Sequence, residues 1–594
     1  MSEASKALSS WVPLLALLAG FTAIVVALAV VGRRTRTSKD VLAWVPLGLE
    51  KVTGIPGWAA AQLGTGAFAL LVAGIGFYND VAWHVGLGRD QELFTAPHTM
   101  IVVGLGMLVL AAGVGIVSAT VQRADTALRF RNLRVPWSSI PLLVLGSCAL
   151  LGFPLDDLWH AAYGIDVTMW SPTHLLMICG AAFSLIAGWL TLAEAGVEFR
   201  RNVWSRVAHV IAAFFVLQGL AAPLGEFRFG VPQFQQLYHP VILLLAAAFT
   251  FTAVRLVLGR GWSLVVGALV FVPEVVGVLQ LGAAGTDGFV PTRSPGVFLA
   301  SAVGVELAAA VLGTERRLRF AITSAIGVAT IGLAGEWLWN ADAIQPWRSP
   351  LLVPAVLVGG LAAAGAAVVG TAYGSAISRT DRGFRGAVVA VGALAMLAAL
   401  ILPLPRRAPS GIEAAIDVEP AGPGLVYVRV QLDPPTAAED ALWFQVMAWQ
   451  GDGFRSAEFA EVAPGRYVAD RPMPAEGNWK TVVRLHRGDE LLSAAVFLPA
   501  DPEIGAEGVA AIDRTVELGP EPKILLREQK PGAATVQYLA YAVIAGVAVL
   551  WAWAFAMATS RIPARPPLRL DGPTAGPRAG RRPRRERRSA LVTG

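Results

Sequence analysis

Cysteine is almost absent from this chain. Its 594 residues include two cysteines, Cys148 and Cys179, and both lie inside apolar runs. Two such thiols cannot supply the disulfide framework that stabilises many exported domains. Any exported part of the protein is therefore expected to fold without disulfides.

Charged residues are also scarce. Asp, Glu, Lys and Arg make up 15% of the chain and hydrophobic residues 55%, which excludes an ordinary soluble globular protein. Most of the chain consists of apolar runs of about 20 residues, long enough to cross a bilayer as a helix. The run at 11–32 is too long for a signal peptide and has no small-residue cleavage site, so it is predicted to be the first span.

The apolar runs predict a membrane helix bundle at 1–404, with about thirteen spans in the whole chain. The spans are placed at 11–32, 57–79, 97–119, 137–156, 173–194, 206–225, 239–259, 262–282, 296–314, 320–338, 350–374, 385–404 and 535–559. Alternate short loops carry nineteen Lys and Arg residues, and the intervening loops carry four. The positive-inside rule then predicts a multi-pass plasma-membrane protein with its N-terminus outside and its C-terminus inside.

Residues 405–533 differ from this pattern. Short β-branched and aromatic runs at 426–432, 442–449 and 480–485 lie between Pro, Gly and Asp turns, which predicts an extracytoplasmic β-sandwich before the last helix at 534–560. The region has one histidine, His486, and no cysteine, which excludes a His2Cys copper centre. We expect it to shield the membrane part or to dock membrane or extracytoplasmic proteins.

One passage of this region resembles a known family. Ala463-Pro-Gly-Arg-Tyr467, followed by Met473-Pro-Ala-Glu-Gly-Asn-Trp479-Lys, is similar to the end of the FixH/YtkA-like β domains. Such domains occur near copper handling and oxidase assembly, and the resemblance implies a similar setting here.

The tail at 561–594 is rich in Arg, Pro and Gly. This composition predicts a disordered cytoplasmic segment that rests on anionic lipid, and no nucleic-acid partner is assigned to it. The sequence also has no P-loop, no dinucleotide fingerprint and no nucleophile elbow in a suitable context.

Two stretches of the helical region repeat each other at an offset of 76 residues, within helical hairpins at about 57–119 and 137–194. The repeated residues are Phe77, Asp80, Trp83, His84, Gly88, Asp90 and His98 in the first copy and Phe153, Asp156, Trp159, His160, Gly164, Asp166 and His174 in the second. In each copy an Asp and a His four residues apart share one helix face. The second His follows a Thr or Ser cap and a proline, so it belongs to the first turn of the returning helix.

Two imidazoles and one carboxylate form a three-ligand set with an open position, suited to copper, zinc or non-haem iron. The predicted ligands are Asp80, His84, His98, Asp156, His160 and His174. One dinuclear centre and two separate centres are both compatible with the spacing. So are a structural or proton-relay hydrogen-bond network and a duplication without function.

The Asp-x3-His pattern followed by His on the next helix resembles the metal-binding motif of the C subunit of the copper membrane monooxygenases, the particulate methane and ammonia oxidising family. The resemblance implies that the six residues bind copper. That family has the motif once, whereas this chain has it twice.

Further polar residues in the spans are predicted to support the ligands or to carry protons. They are Asp157, Glu226, His239, Glu274, Glu306 and Glu336. Glu274 and Glu306 lie deepest, where an unpaired carboxylate is costly. The sequence therefore predicts that they pair through a shared proton or serve a proton path.

The sequence favours a copper-dependent membrane oxidoreductase that resembles the monooxygenases. Two other functions stay open: a non-catalytic protein that captures, transports or inserts copper, and a metal-free proton-coupled transporter. If the protein is an enzyme, we expect a closed cavity with apolar access from the lipid. If it is a transporter, we expect a track of polar residues across the membrane.

Overall fold

The fold is taken from a computed structural model of the chain. It describes residues 3–35, 40–89, 92–164, 169–284, 296–378, 391–393, 395, 396, 398, 399, 407, 411–525, 527–530 and 532–561. Asp90, Asp166, most of the predicted span at 385–404 and the tail after 561 lie outside these residues.

The first part of the chain is helical. The main helices are α1 Val12–Arg33, α2 Val41–Thr53, α3 Gly57–Gly86, α4 Ala96–Val121, α5 Ser139–Tyr163, α6 Pro172–Glu194, α7 Val203–Ala221, α8 Tyr238–Val257, α9 Trp262–Ala284, α10 Leu299–Leu312, α11 Arg317–Asn340 and α12 Ser349–Ile377, and α13 Ala534–Arg561 follows the sheet region. Within the described residues, ten helices are long and apolar enough to cross a bilayer, namely all of these except α2, α9 and α10. The chain is therefore a multi-pass membrane protein.

The sequence did not predict helix α2. It has thirteen residues, is capped at its start by the Asp40 side chain and is followed by Gly54, whose φ is +67°. The backbones of α1 and α2 lie close together at Gly48. A Cβ atom added to this glycine would lie 2.0 Å from the Leu28 carbonyl oxygen, so no larger residue fits there. The helix is too short to span a bilayer, so a search for long apolar runs does not detect it.

The sequence repeat is also a repeat in the structure. Helices α3 and α4 form the first hairpin, and α5 and α6 form the second. In the first hairpin, a Cβ atom added to Gly104 would lie 2.6 Å from the Ala73 Cβ. In the second hairpin, a Cβ atom added to Gly180 would lie 2.8 Å from the Ala149 Cβ. These pairs are 76 residues apart, so both hairpins pack through the same small-residue contact.

Helix α8 lies at the centre of the helical part. Every residue from Tyr238 to Val254 is buried, and the largest apolar cluster includes side chains from α6, α7, α8 and α12. A helix that is apolar on all sides is buried on all sides, as expected for the middle of a membrane bundle.

The second part of the chain is an antiparallel sheet region. A small hairpin, β1 Leu128–Phe130 and β2 Leu133–Val135, lies in the helical part. The sheet region contains β3 Glu413–Gly422, β4 Leu425–Asp433, β5 Trp443–Trp449, β6 Phe454–Ala463, β7 Arg466–Ala469, β8 Met473–Pro474, β9 Lys480–Arg487, β10 Glu490–Phe497, β11 Arg514–Glu517 and β12 Gly519–Pro520. The strands predicted at 426–432, 442–449 and 480–485 correspond to β4, β5 and β9.

The strand order is β11-β3-β4-β7-β6-β5-β9-β10-β12, and β8 pairs with β4. The first half of β6 pairs with β5 and the second half with β7, so this strand joins two halves of the sheet. Ile416 and Val430 from one half and Val446 and Leu485 from the other belong to one apolar core. The region is therefore an antiparallel sheet whose two halves share one apolar core, an arrangement compatible with the predicted sandwich.

Candidate metal centre

The first ligand set lies where α3 ends and α4 begins. Asp80 and His84 are in the last turns of α3, and the Thr95 hydroxyl caps α4 by accepting the His98 N–H at 3.3 Å. The Asp80 Oδ1 lies 3.0 Å from His98 Nε2 and 3.7 Å from His84 Nε2. The carboxylate thus lies near both imidazoles, and the Asp and His of one helix face the His of the next.

The second set has the same construction on α5 and α6. The Ser171 hydroxyl accepts the His174 N–H at 3.2 Å, and the Asp156 Oδ2 lies 3.3 Å from His174 Nε2 and 3.7 Å from His160 Nε2. Here the Thr173 hydroxyl also donates to Asp156 Oδ1 at 2.5 Å. The first copy has Pro97 at the equivalent position. The second carboxylate is therefore oriented by a hydroxyl that the first lacks.

The distances within each set fit one metal ion. The three possible donor atoms of each set all lie within 4.8 Å of one another. Donor atoms bound at about 2.0–2.2 Å to a tetrahedral ion lie about 3.4 Å apart. The carboxylate-to-imidazole distances of 3.0–3.7 Å are close to this value.

The hydrogen bonding of His98 fixes which of its ring nitrogens carries a hydrogen. Its Nδ1 lies 3.0 Å from the Leu93 carbonyl oxygen, so Nδ1 carries the ring hydrogen. The Nε2 of a neutral ring then presents a lone pair to the Asp80 oxygen at 3.0 Å. Two acceptors repel each other at this distance, so the contact requires either a metal ion between them or a second ring hydrogen that makes His98 an imidazolium paired with Asp80.

Both sets open into one cavity of about 750 Å³. Its polar wall includes all six predicted ligands, together with Asp157 and Glu226. Glu226 is buried and accepts the Met169 N–H at 3.2 Å, whereas Asp157 is exposed. These two residues therefore share the cavity with the six predicted ligands.

His239, Glu274, Glu306 and Glu336 do not line this cavity in the described part of the chain. His239 accepts the Trp347 indole N–H at 3.1 Å and stacks on Phe227. Glu336 accepts the backbone N–H groups of Val297 and Phe298. Both polar groups stabilise the packing of the bundle.

The two deep carboxylates each have an arginine partner. Glu274 lies 3.2 Å from Arg228, and Glu306 lies 3.1 Å from Arg255. Each ion pair gives a partly buried carboxylate a cationic partner, whereas the sequence predicted that the two carboxylates pair with each other through a shared proton or serve a proton path. Sequence spacing could not reveal the pairs, because each joins residues on different helices.

No family model, curated protein or solved structure matches the chain. The resemblances to the copper membrane monooxygenases and to the FixH/YtkA-like domains thus stay predictions. The site is interpreted from its own geometry.

The sheet region covers the polar end of the cavity, where Trp449, Gln450 and Leu525 contribute to its wall. The turn after β5 binds the end of α3: the Gln450 N–H donates to Val85 O at 3.0 Å, and its side-chain amide donates to His84 O at 3.0 Å. These carbonyls belong to the last turn of α3, where carbonyl groups have no partner within the helix. The turn therefore fixes the helix end that carries His84.

The segment after the sheet binds the second hairpin in a similar way. The Lys530 N–H donates to Tyr163 O at 2.6 Å, and Gly164 forms a β-bridge with Gln529. The first hairpin thus contacts the sheet region, and the second contacts the segment that follows the sheet, both at the ends that carry the Asp/His sets. These contacts join residues more than 360 positions apart, and no local sequence motif indicates them.

His486 also connects the two parts. Its Nε2 accepts the Gln236 N–H at 2.9 Å, and its Nδ1 donates to Glu490 O at 2.9 Å. Burial lowers the pKa of His486 to about 4. The ring is therefore neutral near pH 7 and links the sheet region to the loop before α8.

Proposed function

We propose that this protein is a membrane metalloenzyme in which the two Asp/His/His sets bind metal ions, with copper as the first choice. The observation that carries the proposal is that two copies of one three-ligand set open into a single, largely apolar cavity. Three protein ligands leave a coordination position for a further molecule. The function that fits best is a copper-dependent oxidoreductase acting on an apolar substrate.

The protein residues have distinct roles in this proposal. His84, His98 and Asp80 hold one ion, and their counterparts on α5 and α6 hold the other. The Leu93 carbonyl orients the His98 ring, and partners of this kind raise the basicity of a ligand and fix its tautomer. Bound copper would supply one-electron and dioxygen chemistry, and zinc or iron also suits these donors.

The orientation in the membrane is part of the proposal. The basic loops favour an extracytoplasmic metal centre in the plasma membrane, because the positive-inside rule places the other end of the bundle in the cytoplasm. The sheet region contacts the ligand-bearing end and would then be extracytoplasmic as well. Its outer surface is the place where a protein partner would bind.

Copper handling is the second candidate. Glu92 and Asp157 line the polar side of the cavity and are exposed. Acidic groups at such a position attract cations from the aqueous phase. This arrangement suits a protein that captures a metal ion and transfers it to a partner.

Dioxygen consumption by the copper-loaded protein in nanodiscs, with a chemical reductant, tests the enzyme. We expect the parent protein to consume dioxygen at least about tenfold faster than the His98→Ala/His174→Ala variant, which lacks one imidazole in each set. Equal rates of dioxygen consumption by the parent protein and the variant, together with transfer of copper from the parent protein to a copper-free acceptor, would favour copper handling. Proton flux into vesicles without bound metal would favour the transporter.

A further inference from the structure

The cavity extends well below the ligand sets. On α3 its wall runs from Val85 to Leu70, which is about 22 Å at the helical rise of 1.5 Å per residue. Asp80 and His84 lie near the Val85 end of this wall. Most of the cavity is thus not needed to hold metal ions.

The lower part of the cavity is apolar. Below Asn79 of α3, the wall consists mainly of aliphatic, aromatic, methionine and small side chains, and its polar groups include the Tyr78 hydroxyl and the Gln218 amide. Representative wall residues are Leu70, Phe77, Ile101, Leu105, Met177 and Phe214. An apolar space with polar groups at one end suits a molecule that has an apolar chain and one polar end.

The cavity also reaches the outer surface of the bundle. Leu71 and Gly74 of α3 and Gln218 of α7 line the cavity, and the structure leaves all three exposed. Both helices belong to the candidate membrane spans. An opening between α3 and α7 at the level of Leu71 and Gly74 faces the hydrocarbon of the bilayer, where apolar molecules concentrate.

We propose that the cavity binds one long alkyl chain, which enters from the bilayer between α3 and α7 and places one end beside the Asp/His sets. The chain belongs to a single-chain molecule such as a fatty acid, because Trp449 and Gln450 cover the polar end where a phospholipid headgroup would project. Binding follows from the cavity itself. The role of the chain as substrate rests on the proposed function.

A photoreactive palmitic acid with a diazirine near the end of its chain tests the proposal. The full-length protein is placed in nanodiscs with this probe and irradiated, and the labelled residues are identified by peptide mass spectrometry. We expect label on the inner wall, at Phe153, Met177 and Ile178. A parent protein without label at these positions would overturn the proposal.

Two glycine variants test the entrance. A side-chain carbon at Gly74 meets no atom within 4 Å, so the phenylalanine of Gly74→Phe fits there and narrows the opening. Gly64→Phe is the matched control, because Gly64 is also open and exposed on α3 but does not line the cavity. Inner-wall label should fall at least about tenfold in Gly74→Phe and stay unchanged in Gly64→Phe. Equal label in both variants would contradict entry between α3 and α7.

A second probe distinguishes a single-chain molecule from a phospholipid as the source of the bound alkyl chain. Phosphatidylcholine carrying the same photoreactive chain should label lipid-facing residues and leave the inner wall unlabelled. Label of the inner wall by this lipid would contradict the single-chain assignment. Metal content is measured on the same samples, because inner-wall label on a metal-free protein would support alkyl binding and reject the metalloenzyme.

Discussion

Asp80→Asn should remove about half of the bound metal, and Asp156→Asn should remove the other half. Each aspartate touches both imidazoles of its own set, and the six donor atoms fall into two groups of three. Asparagine keeps the shape of the side chain but loses its charge and one acceptor oxygen. Because loss of a residue that merely supports a ligand lowers metal affinity by about 10–100-fold, loss of a ligand should lower it further.

The measurement is the metal-to-protein ratio of each purified variant by mass spectrometry. Asp157→Asn is the control, since Asp157 lines the same cavity but belongs to neither donor group. It should keep the full ratio, and the Asp80→Asn/Asp156→Asn double variant should lose nearly all metal. Complete loss in either single variant would instead indicate one shared dinuclear centre.

Arg484→Met should destabilise the protein by about 3–5 kcal/mol, the usual cost of removing one partner of a buried ion pair. Arg484 is fully buried, and its guanidinium donates to Glu521 at 2.8 and 2.6 Å and to the Pro232 carbonyl at 2.5 Å. Methionine fills a similar space but leaves the Glu521 carboxylate buried without its partner. The contact with Pro232, which connects the sheet region to the helices, is lost as well.

Thermal unfolding of the full-length protein in detergent measures this effect. Arg348→Met is the matched control, because Arg348 also connects the helices to the sheet region, through Glu458 at 2.9 Å, but both side chains are about half exposed. An exposed pair of this kind contributes about 1 kcal/mol or less. Equal shifts of the unfolding temperature in the two variants would contradict the structural role of the buried pair.

The hairpins and the grouping of one Asp and two His in each of them could be predicted because every signal was local or periodic. The aspartate and histidine of each set are four residues apart, and Thr95 and Ser171 mark where the returning helices begin. The apolar runs likewise located the ten long apolar helices of the described residues, and alternating runs located β4, β5 and β9. These patterns depend on the secondary structure alone.

The surroundings of the site could not be predicted, because they depend on which faces of distant segments meet. The contact of Gln450 with the end of α3 joins the two parts of the chain. The partners of Glu274 and Glu306 depend on how α9 and α10 are rotated. Neither spacing nor composition contains this information.

The metal content of the purified protein tests the central claim most directly. Parent protein and the His84→Ala/His160→Ala variant are exposed to copper, zinc and iron, washed, and analysed by mass spectrometry. We predict about two ions per parent chain, one for each ligand set, with copper preferred, and almost none in the variant. A parent that binds no metal, or a variant that binds as much as the parent, would contradict the assignment of these residues as ligands.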